Sequence, residues 1–158
     1  MVREIVNKSD DILTKKCRLV EKFDQKLWSL LDDMADTMYE ANGVGLAANQ
    51  IGIMRQVAVI DIGEELIELI NPEVIAQSGE QEGAEGCLSC PGEYGLVVRP
   101  ECVTVKAFDR NGDEFEIIGE GYLARALCHE TDHLKGEIFL DKVIRMLGPE
   151  DLMTKEEG

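Results

Sequence analysis

Both histidines of this 158-residue chain fall in one stretch, His129-Glu130-Thr131-Asp132-His133, with a glutamate directly after the first. On a helix, residues four apart lie one above the other on the same face, so the two imidazoles can grip one metal ion. Glu130 sits one step round the helix and can reach a water held by that metal. The chemistry such a group points to is metal-assisted hydrolysis. It needs at least one more protein ligand and an open fourth position. No third histidine follows His133, Glu137 is too close to reach round, and Asp141 or Glu150 would require a tight return of the chain. Upstream, Cys87 is the better candidate, a soft thiolate on a glycine-flanked turn that can approach a helix.

The elements that must position these residues are legible in outline. Helical spacing of Tyr122 to Leu134 predicts a helix over 122–134, with Gly136 as its C-terminal cap. An earlier helix is expected over 25–41 behind the N-cap Asp24, burying Leu27, Trp28, Leu30, Leu31, Met34, Ala35 and Met38. Ser9-Asp10-Asp11 predicts a cap and a short helix. The small residues of Gly43-Val44-Gly45-Leu46-Ala47-Ala48-Asn49-Gln50 imply that something approaches the backbone closely. Strands are expected over 56–62 and 66–70, joined as a hairpin, then over 73–82, 94–98 and 103–109, with Asn111-Gly112 turning into 115–118. The stretch 83–92, rich in Gly and Pro, reads as loop rather than element interior, and 138–143 as a short strand.

A 44% hydrophobic, 30% charged composition is that of a globular domain, and no apolar run approaches the ~20 residues that cross a bilayer. The N-terminus has no basic head and apolar core of a signal peptide. Sixteen basic against 32 acidic residues, net −16, disfavour a broad nucleic-acid surface. Five cysteines, an odd number, are expected as reduced thiols in a cytoplasm. Cys87-Leu88-Ser89-Cys90 is a CxxC, but Pro91-Gly92 does not open a helix as a redox motif would. Cys90 therefore reads as small packing, and Cys17, Cys102 and Cys128 as buried apolar side chains. Asp132 is expected to orient a neighbour of the metal site.

Three separated segments, Gly43-Val44-Gly45-Leu46-Ala47-Ala48-Asn49-Gln50, Glu85-Gly86-Cys87-Leu88-Ser89 and His129-Glu130-Thr131-Asp132-His133, together resemble the three signature motifs of the peptide deformylases, in that family's order and spacing. The resemblance implies removal of the formyl group from the formyl-methionine of newly synthesised proteins. It implies one divalent metal held by Cys87, His129 and His133 with water as fourth ligand. Iron(II) is the implied working metal, with zinc, nickel or cobalt able to take its place. Glu130 would shuttle the proton, and Gln50 and the Leu88 backbone N–H would stabilise the oxyanion. Val44, Gly45 and Ala126 would line the methionine pocket. Cys128 stands where many members carry Gln, and Tyr94 where some carry an arginine near the substrate. The chain ends Lys155-Glu156-Glu157-Gly158, so any ribosome contact is expected to use something other than a basic C-terminal helix.

The expected fold is α+β, with small antiparallel sheets around a central helix carrying His129 and His133. One domain is expected over 1–148, followed by a frayed acidic tail over 149–158. Two other readings stay open. A zinc endopeptidase would need a long cleft and a downstream ligand. A structural metal site would close its fourth position and have no use for Glu130.

Overall fold

The computed structural model describes residues 1–148, so the acidic tail at 149–158 lies outside the described residues. Helix α1 (Gln25–Glu40) begins where the Asp24 side chain accepts from the Leu27 N–H, and its apolar stripe is buried except for Trp28, which is half-buried against the cluster. Asp10 caps a short 3-10 helix over Asp11–Thr14 in the same way. Strand β1 (Gly45–Ala47) leads through a 3-10 turn into β2 (Val57–Ile60), β3 (Ile67–Ser78), β4 (Gln81–Cys87), β5 (Cys90–Arg99), β6 (Cys102–Phe108) and β7 (Glu114–Glu120). Helix α2 (Tyr122–Leu134) follows, then a 3-10 turn and β8 (Val143–Leu147). All pairings between these strands are antiparallel, in a five-stranded sheet ordered β1-β2-β3-β6-β7 and a three-stranded sheet ordered β4-β5-β8. The fold is thus α+β with antiparallel sheets.

Strand β2 explains how the two helices are placed. Its four residues are all buried, because both faces of the sheet are covered. Val57 and Val59 join Leu27, Leu31, Met34 and Met38 of α1 in one apolar cluster. On the opposite face, Ile60 joins Val103, Val105, Ala124 and Leu127, which places α2 there. Successive side chains of a strand point to opposite faces, so one short strand ties both layers together. Eleven consecutive residues of α2, Ala124 to Leu134, are buried. Its polar side chains must therefore find partners inside the protein.

Three expectations need correction. The stretch 83–92 is not a loop: it is the β4–β5 hairpin, closed by the two residues Leu88 and Ser89. Glycine is used there for lack of room, since a Cβ on Gly86 would come within 2.6 Å of the Tyr94 ring on the facing strand. Residues 66–70 and 73–82 are not separate strands, because β3 runs unbroken through Asn71-Pro72. Asn71 takes a positive φ of 52°, held by its side chain, which accepts from the Val20 N–H and donates to the Val20 carbonyl. Lastly, 138–143 is not a strand. Asp141 accepts from the Ile138 N–H and closes a 3-10 turn, and pairing with β5 starts only at Val143. Cys102 is half-buried rather than buried, whereas Cys17, Cys90 and Cys128 are buried as expected.

Candidate metal centre

Cys87 ends β4, and His129 and His133 stand one turn apart on α2. Their ligand atoms all lie within 4.8 Å of one another, with Cys87 Sγ 3.2 Å from His133 Nε2. Tetrahedral coordination at ordinary metal–sulfur and metal–nitrogen lengths puts such atoms about 3.3–3.6 Å apart. The donor set, one soft thiolate and two imidazoles, suits a divalent transition metal. The site could hold one.

Glu85 settles which nitrogen His129 presents. Its Oε1 lies 2.8 Å from His129 Nδ1, so the ring donates there and turns Nε2 toward Cys87 and His133. Glu85 is itself clamped by Arg99, through Nε and Nη2 at 2.8 Å each, and by Arg125 Nη1 at 2.7 Å. Arg99 also donates to Asp132 at 2.6 Å. Burial works to raise the Glu85 carboxyl, but the hydrogen bonds and charges of Arg99 and His129 outweigh it and hold it well below the usual carboxylate range. Asp132 thus connects to Glu85 through Arg99. Burial drives the His133 imidazole well below its ordinary value, which favours the neutral form a ligand needs.

Gln50 approaches from the 3-10 turn after β1. Its Oε1 accepts from the Ala47 N–H at 2.9 Å, which fixes the amide orientation. Nε2 then faces the site, 3.4 Å from Cys87 Sγ and 3.1 Å from Ser89 Oγ. Glu130 is buried on α2, and its Oε1 has no hydrogen-bond partner among the described residues. Burial pushes its carboxyl up to about 7, near the pH at which a general base works best. Gly45 lies directly over Glu130, and a Cβ there would run into Oε2. This is the close approach that the small residues of 43–50 imply.

Glu85, Gln50, Cys87, His129, Glu130 and Gly45 border a cleft of about 480 Å³, within the size range of small-ligand sites. Cys87, Leu88, Gln50, His129 and Glu130 line it together with Val44, Gly45 and Ala126, while His133 is fully buried. Tyr94 and Tyr122 stand on the rim, about half exposed. Glu85, Arg99 and Arg125 received no role from the sequence. Their signals were periodic: Arg125 precedes His129 by one helical turn, and Arg99 shares the inward face of β5 with Val97.

Comparison with known proteins agrees with this geometry. The sequence profile of the family described as Polypeptide deformylase matches residues 2–147. Peptide deformylase of Caldicellulosiruptor bescii is 56% identical over 151 residues, covering 96% of this chain and 91% of that protein. The Caldanaerobacter subterraneus protein of the same name is 54% identical over 156 residues, covering 99% and 98%. Among solved structures, a peptide deformylase from Legionella pneumophila superposes with a TM-score of 0.88 at 49% identity, over 99% of this chain and 92% of that one. The Thermotoga maritima peptide deformylase gives 0.89 at 36% identity, over 90% and 98%. This chain belongs to the peptide deformylase family, the metal-dependent hydrolases that remove the N-formyl group from nascent peptides.

Proposed function

We propose that Cys87, His129 and His133 hold one divalent ion, iron(II) in the working enzyme, and that Glu130 is the general base and acid of deformylation. The observation that carries this reading is the meeting of the three ligand atoms within 4.8 Å beside the buried Glu130 carboxylate, whose Oε1 has no hydrogen-bond partner among the described residues. Bound there, the ion would polarise the formyl carbonyl and make water nucleophilic near neutral pH. Glu130 takes a proton from the attacking water and delivers one to the departing amine, so that formate and a free methionyl N-terminus result. The Gln50 amide and the Leu88 N–H are the donors aimed at the developing oxyanion, worth roughly 3–4 kcal/mol for one such donor. Gln50 does this well because Ala47 and Ser89 already hold it in place, so little reorganisation accompanies the reaction.

Val44, Gly45 and Ala126 are the walls that receive the methionine end of the peptide. Helix α2 serves as the central element of a single domain over 1–148, with both sheets arranged to aim residues at it. No helix among the described residues is long and apolar enough to cross a membrane, and a cytoplasmic place of action fits the substrate. The endopeptidase reading is disfavoured by the third ligand, which comes from upstream of the histidines. A structural site is disfavoured by the carboxylate beside it. The test is Glu130→Gln: turnover of a formyl-Met peptide should fall at least 10²-fold, the lower end of general acid–base contributions, with metal content unchanged. Turnover within a few-fold of the parent would remove Glu130 from its role.

A further inference from the structure

Cys90 is the one thiol beside the metal centre that deformylation does not use. It faces Cys87 directly across the β4–β5 hairpin, the two flanking the two-residue turn Leu88-Ser89. Directly opposed residues of antiparallel strands put their side chains on the same face, with Cα atoms about 4.5–5.5 Å apart. Disulfides span about 4.4–6.8 Å between Cα atoms, a range that includes this spacing. Both residues also border the cleft, so a small oxidant that reaches Cys87 finds Cys90 next to it. Cys90 packs in one apolar cluster with Phe139 and Val97, and Cys87 borders that cluster.

We infer that Cys87 and Cys90 form a reversible oxidation site, in which Cys90 captures Cys87 as an intramolecular disulfide once a hydroperoxide has attacked it. In the first step the Cys87 sulfur attacks a peroxide oxygen and the O–O bond breaks, giving the Cys87 sulfenic acid and water or an alcohol. In the second, Cys90 Sγ attacks Cys87 Sγ and the S–O bond breaks. The hydroxyl leaves as water with the proton of Cys90. Two thiols are oxidised to one disulfide, and one peroxide is reduced. A dithiol reductant reverses it. Without a neighbouring thiol the sulfenic acid proceeds to sulfinic and sulfonic acids, which are not recovered this way.

The consequence for metal rests on the proposed ligand set: the disulfide would remove one ligand, and reduction would restore it. The covalent step does not depend on that set. The experiment treats metal-free, reduced protein with hydrogen peroxide, alkylates the remaining thiols, and maps the Cys87–Cys90 peptide by mass. The expected product is unalkylated and lighter than the dithiol by two hydrogens, and dithiothreitol returns it to two alkylatable thiols. In Cys90→Ser and Cys90→Ala, Cys87 should instead gain two or three oxygens and resist reduction. Cys87 carrying added oxygens in the parent protein, or bonded to Cys17, Cys102, Cys128 or a second chain, would overturn the inference. Cobalt(II) added after reduction provides a separate readout. Its sulfur-to-metal absorption should return in the parent protein and stay lost in both variants. A parent that forms the disulfide but never shows this absorption would refute the ligand set and leave the oxidation site standing.

Discussion

Replacing Glu85 by Gln removes one buried negative charge while keeping shape and most of the volume. Its effect follows from four contacts: two from Arg99 at 2.8 Å, one from Arg125 at 2.7 Å and one from His129 Nδ1 at 2.8 Å. The side chains of Arg99, Arg125 and Glu85 are 3%, 6% and 4% exposed, so solvent screens this cluster little. After the change Arg99 would keep the Asp132 carboxylate, and Arg125 would lose the carboxylate it bonds. Breaking a buried pair in this way costs about 3–5 kcal/mol. For a chain of this length each kcal/mol lowers Tm by about 2–4 °C, giving a drop of roughly 6–20 °C. An amide also accepts more weakly from the His129 ring, and losing such an orienting partner lowers metal affinity about 10–100-fold. Thermal unfolding of the metal-free protein measures the first effect, and competition with a chelator measures the second. A variant with parental Tm and affinity would show that the buried network neither holds the hairpin to α2 nor orients the ligand.

The same carboxylate sets an acid limit. Its pKa is depressed in the folded state, so the unfolded chain binds the extra proton first as pH falls. Stability from Glu85 should be complete above about pH 5 and decline progressively below it, and urea unfolding across that range should show a flatter decline in Glu85→Gln. Gly45→Ala places a methyl against Glu130 Oε2; it should cost about 1–3 kcal/mol in denaturant stability and reduce kcat more than metal content. Cys87→Ser should lose tightly held metal and activity together, and metal retained through dialysis against a chelator would disprove the ligand set.

What the sequence made legible and what it hid divide along physical lines. The two helices were legible because amphipathic spacing and caps are local: Asp24 and its apolar stripe defined α1, and Tyr122 to Leu134 defined α2. The histidine pair was legible for the same reason. The β4–β5 hairpin was hidden because its glycines and Pro91 look like loop, and the cause of the glycines is distant in sequence, such as the Tyr94 ring over Gly86. Asn71 likewise reads as a turn residue until its bonds to Val20, fifty-one positions away, are seen. At the candidate site, the histidines stood out by scarcity and spacing, and Cys87 by its glycine-flanked position and motif. Glu85, Arg99 and Arg125 did not, since a charge in a strand or helix reads as solvated surface until burial is known. Their pairing is a property of the hairpin folded against α2, which no local pattern encodes.

Deformylation by a metal centre at Cys87, His129 and His133 is tested first by formate release from a formyl-Met tripeptide, using protein purified anaerobically and loaded with iron(II). Release that a chelator abolishes and added iron(II) restores, and that is absent in Glu130→Gln at equal metal content, is the expected result. No release from protein that demonstrably carries metal at Cys87, His129 and His133 would contradict it.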